Sequence, residues 1–126
     1  MFETYFNSKW LKTAILVTAL FFLFTHIPQE MIPSTLRKSG IDKLEHVLAY
    51  GVITFLFLIA LRTSLTICSA LLLLVVVSVI GAFDELTQIF VNRTASITDL
   101  IADIAGILCV LIFSTVRRLW FLRATL

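Results

Sequence analysis

Four long apolar runs constrain the fold of this chain more than any other feature of its sequence. They cover residues 10–27, 44–61, 66–91 and 98–116. Each is close to the roughly 20 residues that an α-helix needs to cross a hydrocarbon layer about 30 Å thick. Backbone polar groups in lipid must be satisfied within a helix or a closed barrel, and these runs lack the period-two alternation of barrel strands. We therefore predict an all-α, polytopic membrane protein that folds as one four-helix transmembrane bundle.

The composition supports a membrane protein and excludes several other classes. The 126 residues are 60% hydrophobic and 14% charged, whereas a typical soluble domain has about 25% charged residues. We predict a single domain over residues 1–126, with the lipid bilayer as a partner. The net charge is only +2 and the basic residues form no long patch, which argues against nucleic-acid binding. Cys68 and Cys109 lie inside apolar runs without metal-ligand spacing, so neither a disulfide nor a metal centre is predicted.

The basic residues predict the orientation of the bundle. With the amino terminus inside, the inner side carries six of them: Lys9, Lys12, Arg62, Arg117, Arg118 and Arg123. The outer side then carries four: Arg37, Lys38, Lys43 and Arg93. The positive-inside rule therefore places both the amino and the carboxyl terminus in the cytoplasm. In this topology seven of the eight acidic residues fall in the outer half, and only Glu3 is inside.

Polar and charged side chains converge at the outer end of the predicted bundle, where two helices finish and two begin. A charged side chain at the centre of a membrane helix costs about 2.5–3.5 kcal/mol or more, so such residues are usually paired or functional. We therefore predict a ligand-binding site at this end. Its candidate residues are Lys43, His46, Tyr50, Glu85, Gln88, Arg93, Asp99 and Asp103.

The segment that opens the second run combines a capping pattern with an inward-facing pair. Asp42 and Glu45, three residues apart, are typical of a helix N-cap with a capping box, and Lys43 can extend to the membrane interface. His46 and Tyr50 are four residues apart, so they share a helix face that points into the bundle. His46 is either a hydrogen-bonded interfacial side chain or a functional acid, base or ligand, since histidine titrates near neutral pH.

The third run ends in a cluster of three polar residues, Asp84, Glu85 and Gln88. Gln88 shares a helix face with Asp84 and also adjoins Glu85. Adjacent carboxylates on a helix point in different directions, so we expect one to face the lipid head groups and the other the bundle. The residues themselves leave open which of the two faces inward. His26, near the outer end of the first run, could join the cluster.

The segment that leads into the fourth run places two aspartates on one helix face. Ser96 and Asp99 match a capping box, S-x-x-D. Asp103 lies a full turn deeper, where capping does not account for it. Arg93 is the expected countercharge for these aspartates, because the planar guanidinium can form two parallel hydrogen bonds to one carboxylate.

Small residues predict that the third and fourth helices pack tightly. Ala102 and Gly106 are four residues apart beside the aspartate face, and Gly81 lies on the third run. Small residues at this spacing let helix backbones approach closely. We expect this packing to bring Glu85 near the charged residues at the start of the fourth run.

In order and spacing, these three segments resemble the VanZ-like family of small bacterial membrane proteins. The resemblance covers about residues 10–116. The matching residues are Asp42, Lys43, His46 and Tyr50 in the second run, Glu85 and Gln88 in the third, and Arg93, Ser96, Asp99 and Gly106 around the fourth. The family pattern usually has asparagine four residues after that aspartate, where this chain has Asp103. Of the two adjacent carboxylates in the third run, the resemblance selects Glu85 as the one that faces inward.

The resemblance implies a multi-pass protein of the bacterial cytoplasmic (inner) membrane with a role in the cell envelope. The founding member of the family is linked to low-level teicoplanin resistance in glycopeptide-resistant Gram-positive bacteria, without rewriting of peptidoglycan precursors. The implied role for this chain is a contribution to glycopeptide resistance. The resemblance assigns it no catalytic residue and no cofactor.

Three functions remain open from the sequence. The first is binding of an amphiphile, either a lipid-linked envelope precursor or a lipoglycopeptide, with Arg93 and Lys43 meeting phosphate. The second is an acid–base or metal-dependent enzyme centred on His46, although the chain has no HExxH, GxSxG or glycine-rich phosphate motif. The third is a structural or accessory subunit with an interhelical polar network. We favour the first, which requires neither a cofactor nor catalysis.

Overall fold

Four long helices account for most of the structure. The computed structural model of the protein describes residues 7–33, 39–61 and 65–124. The helices are α1 (Ser8–Thr25), α2 (Ser39–Ala60), α3 (Ile67–Gln88) and α4 (Ile97–Ala124). The described part of the chain is 87% helix and has no strand. Each helix is long and apolar enough to cross a membrane, so the predicted four-helix, multi-pass membrane fold is confirmed.

Two helices extend beyond the apolar runs that predicted them. α2 begins at Ser39 rather than at 44, and α4 continues to Ala124 rather than to 116. The apolar runs mark only the part of a helix that lies in hydrocarbon, whereas backbone hydrogen bonding continues into the interface. As a consequence Asp42 lies inside the first turn of α2. The predicted capping box of Asp42 and Glu45 is therefore wrong.

A short turn ends α3 and directs the chain back towards the bundle. A single 3-10 turn, Ile89–Val91, follows α3. Asn92 then adopts a left-handed backbone conformation with φ of 58°, which asparagine tolerates better than most residues other than glycine. The Arg93 amide donates a hydrogen bond to the Gln88 carbonyl oxygen at 3.1 Å and closes the helix end. This turn determines where Arg93 and the start of α4 lie.

The most extensive helix contact in the described bundle joins α2 and α4, and Gly106 makes it possible. A Cβ on Gly106 would overlap the Val47 carbonyl and approach the Gly51 amide nitrogen to 3.1 Å. Gly106 therefore faces α2, and the prediction that it packs α4 against α3 is wrong in the choice of partner. The α3–α4 contact uses Gly81 instead, where a Cβ would lie 2.7 Å from Asp103 Oδ2.

The outward surface of the bundle is apolar. Large side chains remain more than half exposed on every helix, for example Leu16 (59%), Leu48 (60%), Val79 (62%) and Phe113 (70%). A soluble monomer rarely exposes apolar patches of this extent, whereas a protein solvated by lipid requires them. The apolar interior is formed by Tyr50, Ile53, Leu73, Val77, Ile107 and Leu111.

The two ends of the bundle differ in character. We call the end where α1 and α3 finish and α2 and α4 begin the polar end, and the opposite end the terminal end. At the terminal end the Asn7 amide donates to the Ala60 carbonyl oxygen at 2.7 Å, and Arg118 donates to the Leu65 carbonyl oxygen. The predicted orientation also uses residues outside the described part of the chain, namely Glu3, Arg37, Lys38 and Arg62. Which end faces the cytoplasm remains a prediction.

We expect Gly106→Ala to destabilise the protein by about 1–3 kcal/mol, the usual cost of overpacking a close contact. The added Cβ meets backbone atoms of α2, which cannot move aside as a side chain can. Thermal unfolding in detergent, followed by circular dichroism, measures the change. Gly40→Ala is the matched control, since a Cβ there meets nothing within 4 Å. An unchanged unfolding temperature for Gly106→Ala would contradict the role of this glycine.

Candidate functional site

Seven buried polar side chains form one network at the polar end of the bundle. Every helix contributes to it, and each member is at least nine-tenths buried. We call this set the polar network; its members are Thr25, His46, Asp84, Glu85, Gln88, Asp99 and Asp103. Because lipid offers no hydrogen-bonding partner, these groups must satisfy one another across the helices.

The closest pair in the network joins α2 to α4. His46 Nδ1 lies 2.7 Å from Asp103 Oδ1, and the two side chains are 3% and 0% exposed. The second oxygen, Asp103 Oδ2, is buried without a hydrogen-bond partner among the described residues. It lies against Gly81, whose missing side chain leaves room for the carboxyl group. The partner of Asp103 is therefore His46, and the prediction that Arg93 is its countercharge is wrong.

Glu85 connects α3 to the start of α4. Its Oε2 accepts a hydrogen bond from the Ser96 amide at 2.7 Å, and its Oε1 lies 3.8 Å from His46 Nε2. Ser96 Oγ accepts from the Asp99 amide at 3.3 Å, which confirms half of the predicted capping box. In the other half of a capping box, the Ser96 amide would donate to the Asp99 side chain. Here it donates to Glu85 on α3 instead. Asp99 is thereby left to pair with Lys43, whose Nζ lies 3.3 Å from Asp99 Oδ1.

Asp84 is buried as deeply as its neighbour Glu85, at 1% and 4% exposed. The prediction that one of the two faces the lipid head groups is therefore wrong. α3 has α1 on one side and α2 with α4 on the other, so adjacent side chains both meet a helix. Thr25 Oγ1 donates to Asp84 Oδ1 at 2.7 Å, and Gln88 Nε2 donates to Asp84 Oδ2 at 3.3 Å.

His26 joins the network at its edge, beside Asp84. Its Nδ1 lies 2.7 Å from the Phe22 carbonyl oxygen and 3.6 Å from Asp84 Oδ1. Its Nε2 lies 3.0 Å from Thr87 Oγ1. Sequence reasoning missed Thr25 altogether, because a threonine in an apolar helix ordinarily bonds to its own backbone and carries no further signal.

Arg93 ties the end of α1 to the start of α2. Its guanidinium donates to the Thr25 carbonyl oxygen at 2.9 Å and lies 3.7 Å from Asp42 Oδ1. A cation at this position stabilises the carboxyl end of α1. Arg93 forms no ion pair with Glu85 or Asp99 among the described residues. It lines the same cavity as Asp99, so the predicted proximity is confirmed and only the choice of ion-pair partner differs.

A polar cavity of about 200 Å³ lies between the network and the tip of the polar end. Its lining consists of Asp42, Lys43, Gln88, Arg93, Thr94, Ser96 and Asp99. Four of the eight predicted site residues line it. His46, Glu85 and Asp103 form the layer beneath. Tyr50 lies deeper still, with its ring parallel to that of His46 at 6.3 Å between centroids, so it supports the site from below.

Three side chains of this region have the spacing of metal ligands. One ring nitrogen of His46 and one carboxylate oxygen each of Asp42 and Asp99 lie within 4.8 Å of one another. The favoured sequence prediction assigned no metal site, and the alternative of a metal-dependent enzyme centred on His46 did not include Asp42.

An apolar groove of about 410 Å³ runs between α1 and α2. It faces the lipid and is lined by Val17, Phe21, Phe24, Glu45, Leu48, Ala49, Val52 and Ile53. Its only charged lining residue is Glu45, which lies near the polar end. A second apolar groove lies between α3 and α4 towards the terminal end.

No protein-family model, curated protein or solved structure matches this chain. The resemblance to the VanZ-like family stays a prediction based on the motif residues.

We expect Glu85→Ala to destabilise the protein by about 1 kcal/mol, the usual cost of losing a helix N-cap contact. The Ser96 amide should also exchange its hydrogen faster, because its acceptor is gone. Chemical unfolding and hydrogen exchange of the purified protein measure the two effects. Glu85→Gln keeps an acceptor oxygen and should lose less. Leu86→Ala, at a lipid-facing position that is 62% exposed, is the control. Unchanged exchange at Ser96 in Glu85→Ala would contradict the assignment.

Proposed function

We propose that this protein binds the polar head of an amphiphilic, envelope-related ligand, as a VanZ-like protein of the bacterial cytoplasmic membrane. The ligand is a lipid-linked envelope precursor or a lipoglycopeptide, and the proposed biological role is a contribution to glycopeptide resistance. The observation that carries the proposal is the polar cavity, which combines two cations, two carboxylates and an amide at the polar end of a membrane bundle.

The two cations of the cavity suit a phosphate group. Arg93 donates one hydrogen bond to the Thr25 carbonyl oxygen, and the planar guanidinium has further N–H donors for bidentate recognition. The Lys43 side chain is 42% exposed, and its Nζ lies 3.3 Å from Asp99 Oδ1, a long contact for an ion pair. It can therefore turn towards a ligand. Gln88 and Ser96 add an amide and a hydroxyl group, which suit the sugar of a lipid-linked precursor.

The groove between α1 and α2 supports the amphiphilic character of the ligand. It is almost entirely apolar and opens to lipid. An acyl or isoprenoid chain that lies in this groove would have its head near the polar end, because Glu45 and Phe24 mark that end of the groove.

A second candidate function is acid–base chemistry on the head group. The observation that favours it is the 2.7 Å contact between His46 Nδ1 and Asp103, with Glu85 at 3.8 Å from the other ring nitrogen. Such a pair can hold one tautomer of the imidazole and transfer a proton. No hydroxyl or thiol side chain of the described residues bonds to His46, so the nucleophile would be water. Turnover of a lipid substrate that is lost in a folded Glu85→Gln variant would establish this function.

The proposed orientation, with both termini in the cytoplasm, is tested by cysteine labelling. Thr94 lines the cavity at the polar end, and Ser8 starts α1 at the terminal end. In a Cys68→Ser/Cys109→Ser background, we expect a membrane-impermeant maleimide to label Thr94→Cys in intact cells and Ser8→Cys only after the membrane is opened. The reverse pattern would place the cavity at the cytoplasmic face. It would contradict the proposed orientation and exclude an extracellular lipoglycopeptide as the ligand.

Native mass spectrometry in mild detergent tests binding. We expect wild-type protein to bind a polyprenyl phosphate more tightly than the polyprenol of the same chain length. Arg93→Gln should weaken phosphate-lipid binding by about tenfold, the equivalent of one charge-assisted hydrogen bond. Lys12→Gln removes an exposed charge at the terminal end and is the matched control. A parallel titration with teicoplanin and its acyl-free core distinguishes the lipoglycopeptide from the lipid-linked precursor.

The outcomes separate the proposed function from the structural alternative. Phosphate selectivity that disappears in a folded Arg93→Gln variant supports head-group binding. Equal binding of phosphate and alcohol, or no binding of any of these ligands by folded wild-type protein, would contradict it. If no ligand binds and variants of the polar network are less stable than the wild type, the network serves to hold the helices in one arrangement.

A further inference from the structure

Three side chains between the polar cavity and Asp103 have the spacing of metal ligands: Asp42, His46 and Asp99. We infer that Asp42, His46 and Asp99 bind one divalent transition-metal cation, with Asp103 as the positioning residue for His46. The three donor atoms come from two helices and lie within 4.8 Å of one another. Asp42 and His46 are one turn apart on α2, and Asp99 begins α4 opposite them. The helices that hold the donors form the most extensive contact among the described helices.

The imidazole of His46 is oriented as in known metal sites. Metal-binding histidines almost always donate the other ring N–H to a carboxylate or carbonyl, which determines the tautomer and the direction of the ring. Here Nδ1 lies 2.7 Å from Asp103 Oδ1, which leaves Nε2 as the nitrogen that can face a cation. Nε2 takes part in no hydrogen bond among the described residues, although His46 is only 2% exposed. The Glu85 carboxylate lies 3.8 Å from it, which adds negative charge on the side where a cation would bind.

The charge balance of the region also favours a cation. The polar network and the cavity contain five carboxyl side chains: Asp42, Asp84, Glu85, Asp99 and Asp103. The permanent cations among the same residues are Lys43 and Arg93. Burial of uncompensated carboxylates in a membrane bundle is costly. A divalent cation between Asp42 and Asp99 offsets part of this excess.

The donor set points to Zn²⁺ or Mn²⁺. Imidazole suits first-row transition metals such as Zn²⁺, and carboxylate suits harder cations such as Mn²⁺. A site with one imidazole nitrogen and two carboxylate oxygens therefore suits either of these two ions. Three protein ligands leave one position open to the cavity. The cation would displace Lys43 from Asp99, which frees the ammonium group to meet an anionic ligand. The open position then takes a phosphate oxygen, a step that rests on the proposed function, whereas metal binding itself does not.

The first test uses the metals alone, without lipid. Chelator-treated protein in mild detergent is titrated with Zn²⁺ and Mn²⁺ by calorimetry, and the bound metal is counted by elemental analysis. We expect one ion per chain and a more than tenfold loss of affinity in Asp42→Asn. The Asp42 side chain is 35% exposed, so this variant should fold. Glu45→Gln removes a carboxylate of the same helix outside the donor set, and it should bind like the wild type.

Asp103→Asn tests the positioning role. Loss of an outer-shell partner typically weakens metal binding by 10–100-fold, and a tetrahedral Co²⁺ absorption band in the visible region reports whether the imidazole still ligates. We expect weaker binding and an altered band at an unfolding temperature close to that of the wild type. Unchanged metal affinity in folded Asp103→Asn would overturn the positioning role.

Either of two results would overturn the metal site itself: folded wild-type protein that binds less than one ion per chain, or Asp42→Asn that binds like Glu45→Gln. Phosphate-lipid binding is measured separately, with and without chelator. Metal binding without phosphate selectivity would refute only the proposed ligand. Phosphate selectivity that survives the chelator would remove the metal from ligand binding.

Discussion

The structure depends on the requirement that every polar group within lipid finds its partner inside the protein. Its buried carboxylates meet this requirement across helix boundaries, except for Asp103 Oδ2, which has no hydrogen-bond partner among the described residues. Asp103 on α4 pairs with His46 on α2, and Asp84 on α3 accepts from Thr25 on α1. Glu85 accepts from the amide that begins α4. These contacts link all four helices at one end, so the polar residues determine how the helices are arranged there.

Glycines make this arrangement sterically possible. Gly81 leaves room for the Asp103 carboxyl group between α3 and α4, and Gly106 lets α4 contact the backbone of α2. Close packing is a main driving force for helix association in lipid, where the hydrophobic effect between helices is absent. Interhelical hydrogen bonds in membranes average only about 0.6 kcal/mol. Stability alone is therefore a weak reason for seven buried polar side chains, and the proposed binding role offers a further one.

In the proposed function, the cavity, the proposed cation site and the lipid-facing groove act together. The proposed cation site would connect the buried network to the cavity, because His46 belongs to the network and Asp42 lines the cavity. Lys43 is the side chain that would move, since its ammonium group contacts the Asp99 carboxylate in the structure. An anionic head group and a cation would bind cooperatively at such a site, as each favours the displacement of Lys43 from Asp99.

The sequence by itself determined the four helices, because their hydrogen bonds are local and lipid permits no other use of the apolar runs. It also determined which residues meet at the polar end, since the order of spans decides which helix ends are adjacent. Only the tertiary structure decided the partners. Arg93 binds the end of α1 instead of Asp103, and Asp84 faces α1 instead of lipid. These choices depend on the rotation of each helix about its axis, which arises from packing between helices such as the contact at Gly106.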